Sequence, residues 1–193
     1  MLLERGEVEK ARVQARECSE RAEDLGAFAC VVAANTMFGA ASLARQDASG
    51  AKPPLERGSE LSEVTNMAGM RTLIQGLLGS TRAALGDMPG GVEGWDAALD
   101  NAQSMGDRYG EAQTRWGRGR TYVDRQDWST ALPDLDAAIR LFEEMEARPS
   151  LARALHDRAK AHRGLGRQED ADGDERRSQE LGHELGLKDS AFA

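Results

Sequence analysis

Aromatic side chains make up only 5% of the 193 residues, while alanine, leucine and glycine are plentiful. Strands draw on aromatic and β-branched residues, so this scarcity excludes a β-rich fold and predicts an all-α chain. Cysteine is nearly missing. Cys18 and Cys30 are the two present, no Cys-x-x-Cys pair exists, and both read as reduced thiols at helical positions that take small buried side chains. No basic region followed by an apolar run opens the sequence, so a secretory signal is absent and a cytoplasmic location is expected. Long apolar runs are wanting as well: the uncharged stretch 27–44 contains Asn35, Thr36 and Ser42, too weakly hydrophobic to span a bilayer, and predicts a buried central helix.

Positive charge is also short. With 25 Lys and Arg against 33 Asp and Glu, the formal net charge is -8, which repels nucleic acid and anionic membranes on average. Neither is expected as a partner, despite the aromatic-arginine mixture beginning at Trp116. The three histidines, His156, His162 and His183, lack the four-residue spacing of a helical metal pair, so no metal is expected. Glycine stretches such as Gly117-Arg118-Gly119 follow no strand, as a phosphate loop must, and no Ser, Cys or Thr sits in a nucleophile setting. The expectation is a chain with no cofactor and no enzymatic activity.

What is present is a forty-residue repeat within a chain that is 40% hydrophobic, 30% charged and has a mean hydropathy of -0.58. In 111–150 one helix carries Ala112, Trp116, Gly119, Tyr122 and Val123 at helical spacing. After Arg125-Gln126-Asp127 a second helix carries Trp128, Ala131, Leu135, Ala138, Ile139, Phe142 and Met145,. A pair this small cannot bury its faces alone and requires neighbouring copies. The copies are there. The first helices show a small residue at Gly39, Gly79, Gly119 and Ala159. The turns recur as Gly6-Glu7, Gln46-Asp47, Gly86-Asp87, Gln126-Asp127 and Gly166-Arg167, and the second helices recur at Ala11, Ala51, Gly91, Ala131 and Ala171. The acids after the turn suit helix starts.

This divides one domain, 1–193, into a half repeat, 1–26, and four repeats, 27–70, 71–110, 111–150 and 151–190. The second copy looks loosest: 47–54, with Pro53 and Pro54, reads as a longer loop, and Met67 falls two residues late relative to Met105, which implies an insertion. Pro133 occupies the place of Pro53 and predicts a helix that starts near Ser129 or is kinked. The last second helix is strongly polar, as where a solenoid meets water. The first helix lacks a preceding partner, so Val8, Ala11 and Ala15 are expected to be uncovered and to favour self-association, or the chain is part of a longer array.

These residues resemble the tetratricopeptide repeat in a form spaced by about forty residues. The resemblance rests on Gly39, Gly79, Gly119 and Ala159, on the aromatic-type site at Tyr122 and His162, and on Ala131, Leu135 and Ala138. It looks like arrays found in bacterial signalling regulators. It implies a right-handed α-α solenoid whose first helices line a concave groove, acting as a protein-interaction scaffold, or as a ligand-sensing segment of a larger regulator that takes a small anion. Arg118 and Arg158 depart from the pattern, standing where an apolar residue such as Phe38 or Leu78 is usual.

Charge is segregated in the last two repeats. Arg115, Arg118, Arg120 and Arg125, then Arg153, Arg158, Lys160 and Arg163, lie on first helices, while Asp134, Asp136, Glu143, Glu144 and Glu146 lie on a second helix. By repeat position Gln113, Trp116, Arg120, His156, Lys160 and Arg163 are expected to face the groove, where they would hold an acidic peptide or a carboxylate. The competing expectation is that these cations pair with the neighbouring acids along the solenoid. Trp116 divides in the same way between anchoring a partner and core packing.

Overall fold

The structure, a computed structural model, describes residues 7–187. Nine α-helices and no strand occur among the described residues: α1 (Val8–Asp24), α2 (Phe28–Ala44), α3 (Ala48–Val64), α4 (Ala68–Ala84), α5 (Met88–Met105), α6 (Arg108–Asp124), α7 (Trp128–Glu144), α8 (Arg148–Gly164) and α9 (Gln168–Leu185). Each packs on the next across a short turn, forming an α-helical repeat solenoid,.

The turns set the register. Positive φ recurs at Gly26, Gln46, Asn66, Gly86, Gly106, Gln126, Glu146, Gly166 and Gly186, a step of twenty residues throughout. At each, the following N–H donates to a carbonyl five residues back, from Ala27 to Ala22 through Leu187 to Gly182. This closes every helix in the same left-handed cap. Asp47, Asp87, Asp107 and Asp127 then accept the backbone N–H of Gly50, Gly90, Gly110 and Thr130, which fixes four of the helix starts,.

This uniform register corrects the reading of 47–54. Residues 47–54 are no loop and no insertion lies there, because α3 runs through Pro53 and Pro54 and its closing turn keeps the twenty-residue step. α7, capped at Asp127, starts at Trp128, one residue before Ser129, and continues through Pro133, whose exposed ring leaves the carbonyl of Ser129 without its helical N–H,. The helix pairs open at Ala68, Arg108 and Arg148.

The repeated small residues act as seats. Gly39 lies under Leu55, Gly79 under Trp95 and Gly119 under Leu135, each sixteen residues on. The closest approach is between α4 and α5. A Cβ on Gly94 would stand 3.0 Å from the Gly79 Cα, and one on Gly79 2.8 Å from the Gly91 carbonyl oxygen. Trp95 fills the resulting joint, fully buried, donating Nε1–H to Ser80 Oγ at 3.2 Å. Apolar clusters around Val31, Leu55 and Ile74, around Phe142, Leu151 and Leu155, and around Val123 and Leu135 continue the core along the array.

The first end differs from expectation. Ala11 and Ala15 are buried, because α1 turns its small residues onto α2. Cys18 and Cys30 are exposed rather than buried. The run 27–44 does form a largely buried helix, with eight buried residues between Val31 and Ser42, yet Phe28 and Met37 remain exposed. No helix among the described residues is long and apolar enough to cross a membrane.

Candidate interaction groove

Every second helix, α2, α4, α6 and α8, touches the next of its kind, whereas α3, α5, α7 and α9 make no comparable contact with one another. Closer spacing in one layer than in the other curves the array toward the closer layer. The even-numbered helices therefore line the inner face, the layer that the resemblance implies.

The sides of each inner helix are fixed by what they touch. On one flank of α6, Gly110, Thr114 and Gly117 meet Thr72, Gly76 and Ser80 of α4. On the other, Gln113 donates to Ser150 Oγ at 3.1 Å and Trp116 donates Nε1–H to Asp157 Oδ2 at 2.9 Å, both on α8. The sector between these flanks, centred on Gln113, Gly117, Arg120 and Asp124, is left to the groove. Moving by forty residues identifies the same sector elsewhere: Ala33, Met37, Ala40 and Ala44 on α2; Leu73, Leu77, Ser80 and Ala84 on α4; Arg153, Asp157, Lys160 and Gly164 on α8. Apart from Asp157, all are exposed or half-buried. The groove is thus apolar over α2 and α4 and charged over α6 and α8.

Four of the six residues expected in the groove come together at the seam of α6 and α8. Gln113, Trp116, Arg120 and Lys160 are all half-buried there. Trp116 serves the seam, since its ring packs against two core clusters and its N–H is satisfied by Asp157. Lys160 lies 3.4 Å from Asp157 Oδ1. His156 and Arg163 are placed differently, both toward Glu175 of α9, at 3.3 and 3.8 Å. Forty residues earlier these three positions hold Trp116, Val123 and Leu135, which receive the next helix pair. The stacking face beyond α8 and α9 is therefore polar.

The arginines at the usually apolar site are consumed in packing. Arg118 makes a two-pronged bond to Asp134, Nε to Oδ2 at 2.6 Å and Nη2 to Oδ1 at 2.7 Å, and reaches back to Asp96 at 3.1 Å. Arg158 repeats this with Asp174, at 2.7 Å for both bonds, and with Asp136 at 2.8 Å. These bonds, Asp134 first for Arg118 and Asp174 first for Arg158, raise both guanidinium pKa values against the opposing effect of burial,. Arg115 joins Glu111 and Asp134. Pairing along the solenoid thus accounts for Arg115, Arg118 and Arg158, and Lys160 pairs with Asp157 in the groove sector, where Arg120, Arg153 and Asp124 also lie.

Asp124 sits uneasily in this setting. Desolvation raises its pKa and the nearby Asp157 carboxylate adds to the rise, against Arg120 and Lys160, which lower it,. A separate open cleft of about 470 Å³ lies at the outer seam between α3 and α5, over Arg71 and Gln75 of α4, with Glu63, Asp100 and Asn101 at its walls. Arg71 Nε and Gln75 Oε1 are buried there without hydrogen-bond partners.

The fold defines the class: an all-α helical-repeat array with an open inner face. No family model matches the chain, and no curated protein matches it. Among solved structures it is similar to the crystal structure of BtubC (BKLC) from P. vanneervenii, with a TM-score of 0.54 over 92% of each chain. At 12% sequence identity that likeness extends to the fold alone.

Proposed function

We propose that this protein is an interaction scaffold of the tetratricopeptide-like kind, acting in the cytoplasm by binding rather than by catalysis, and seating a segment of a partner protein in its inner groove. The observation that carries this reading is the inner sector itself. Arg118, Arg158 and the seat glycines are occupied by packing, yet the sector from Ala33 to Lys160 keeps some exposure at every position except Asp157 on the four inner helices. Helical-repeat arrays present extended concave surfaces of this form to partners. Immobilised protein should capture a partner from a lysate of the cells that express it, and Arg120→Glu with Lys160→Glu should abolish capture while helicity is kept. Capture that survives the double substitution would count against the charged half of the groove.

A second reading, a segment that senses a small polar ligand, is supported by the outer cleft. Arg71 Nε and Gln75 Oε1 offer a donor and an acceptor without partners one turn apart. A ligand there would protect Arg71 from modification by phenylglyoxal without disturbing partner capture.

A further inference from the structure

Three repeat positions that elsewhere hold apolar or hydrogen-bonded side chains are polar together in the second repeat. Arg71 stands where the first and fourth repeats bury Val31 and Leu151. Gln75 stands where the fourth repeat buries Leu155, and Asn101 stands where α3, α7 and α9 pack Leu61, Leu141 and Leu181. Polar residues at the first two positions are satisfied in the other copies: Asn35 accepts from Ser19 Oγ at 3.0 Å, and Arg115 donates to Glu111 at 2.8 Å and lies 3.5 Å from Asp134. The second repeat has Gly94 in place of that aspartate. Arg71 Nε and Gln75 Oε1 are left buried without partners, which weakens the fold rather than supporting it. Packing therefore gives no reason for the pair.

All three residues border the outer cleft of about 470 Å³, whose walls add the exposed carboxylates of Glu63 and Asp100. Among the described residues neither carboxylate makes an ion pair, and nor does Arg71. One cleft thus holds a cation and two anions that do not neutralise one another. A simple anion arriving there is opposed by the two carboxylates and a simple cation by Arg71, whereas a molecule bearing both charges answers all three. We propose that the outer cleft binds a small zwitterion, a free amino acid, with its carboxylate on the Arg71 guanidinium and its ammonium toward Glu63 and Asp100. This rests on the cleft being a small-ligand site. The guanidinium fork suits a carboxylate, and an ammonium brings three donors for acceptors. Asn101 is already oriented, since its Nδ2 donates to the Ala68 carbonyl at 3.1 Å and to Thr72 Oγ1 at 2.6 Å, which leaves its Oδ1 to accept beside Gln75 Oε1.

The test is thermal unfolding of the full chain with each L-amino acid in turn, and with acetate and methylammonium as probes of single charge, followed by calorimetric titration of the amino acids that stabilise. At least one amino acid should raise the unfolding midpoint by an increment that grows with its concentration, and acetate and methylammonium at matched ionic strength should not. Arg71→Leu with Gln75→Leu installs the pair found at Leu151 and Leu155 and should weaken that binding about tenfold or more. Glu63→Gln with Asp100→Asn changes only exposed side chains and should weaken it likewise, and circular dichroism checks that both variants are helical. Single-charge probes that shift the parent but not the leucine variant overturn the zwitterion and leave a small-ligand site standing. Amino-acid binding indifferent to both pairs of substitutions overturns the cleft as the site, and no shift with any probe overturns the amino-acid occupant.

Discussion

Arg118 on α6 grips Asp134 on α7 through two parallel bonds of 2.6 and 2.7 Å, and Arg158 grips Asp174 in the same way forty residues later. Each also ties back to the preceding outer helix, through Asp96 and Asp136. At the matching place in the first repeat Phe38 lies under Arg16, 5.2 Å from the ring centroid, twenty-two residues apart as are Arg118 and Asp96. In the second repeat Leu78 fills the slot. One structural position therefore holds a repeat to its predecessor by a cation on a ring, by apolar contact, or by a guanidinium between two carboxylates.

Removing one partner of the forked pair strands the other. Arg118→Ala should cost roughly 2–3 kcal/mol in urea unfolding, because the buried Asp134 would lose both short bonds and keep only the 3.5 Å contact with Arg115,. Arg118→Leu with Asp134→Ala should recover most of that loss, since Leu78 already fills the equivalent slot. Arg108→Ala breaks only an exposed pair with Glu144 and should cost about 0–1 kcal/mol,.

Two glycine substitutions should move stability in opposite directions. Gly173→Ala on α9 meets nothing within 4 Å and should stabilise by about 0.5–1 kcal/mol through helix propensity. Gly94→Ala gains the same propensity but drives its methyl into the Gly79 backbone. Thermal unfolding should show Gly94→Ala below the parent and Gly173→Ala above it.

The turns and the helix-breaking proline offer further gains. Gln126 and Glu146 hold φ of 61° and 53°, so glycine there should relieve up to about 1 kcal/mol of left-handed strain. Pro133→Ala restores the N–H that Ser129 lacks, at an exposed position, and should raise the unfolding midpoint,. Gly86→Ala, at φ 95°, should lower it.

The groove carboxylate Asp124 gives a pH signature. Partial desolvation, with the Asp157 carboxylate nearby, raises its folded pKa, so the folded chain holds this proton more tightly than the unfolded chain does,. Its ionisation then lowers stability as pH rises from the unfolded to the folded value, and the deficit persists at neutral pH,. Asp124→Asn should therefore be at least as stable as the parent at pH 7, with the advantage vanishing below about pH 4.

The helix pairs, the seats at Gly39, Gly79 and Gly119, and the polar last helix were legible because small residues and apolar stripes recur at a fixed step. The prolines misled, since Pro53, Pro54 and Pro133 weaken a helix locally while the turns on either side hold its length. Cys18 and Cys30 misled because the position takes a small residue whether or not a neighbour covers it. His156 and Arg163 share repeat positions with Trp116 and Val123, but repeat position alone does not say whether a further helix pair stacks on them. The apolar half of the groove escaped notice because uncharged residues on α2 look like core until the flanks of the inner helices are fixed. The twenty-residue phase of the turns, applied to 29–44 and 69–84, was the signal that could have found it.

The central claim is that partners are held by the inner layer. A photo-crosslinking amino acid placed singly at Met37 and Gly117 in the groove, and at Val64 and Glu93 on outer helices, tests it directly in lysate. The account predicts that one partner species is trapped from positions 37 and 117 and none from 64 or 93. Trapping of that species from the outer positions, with none from the groove, would contradict it.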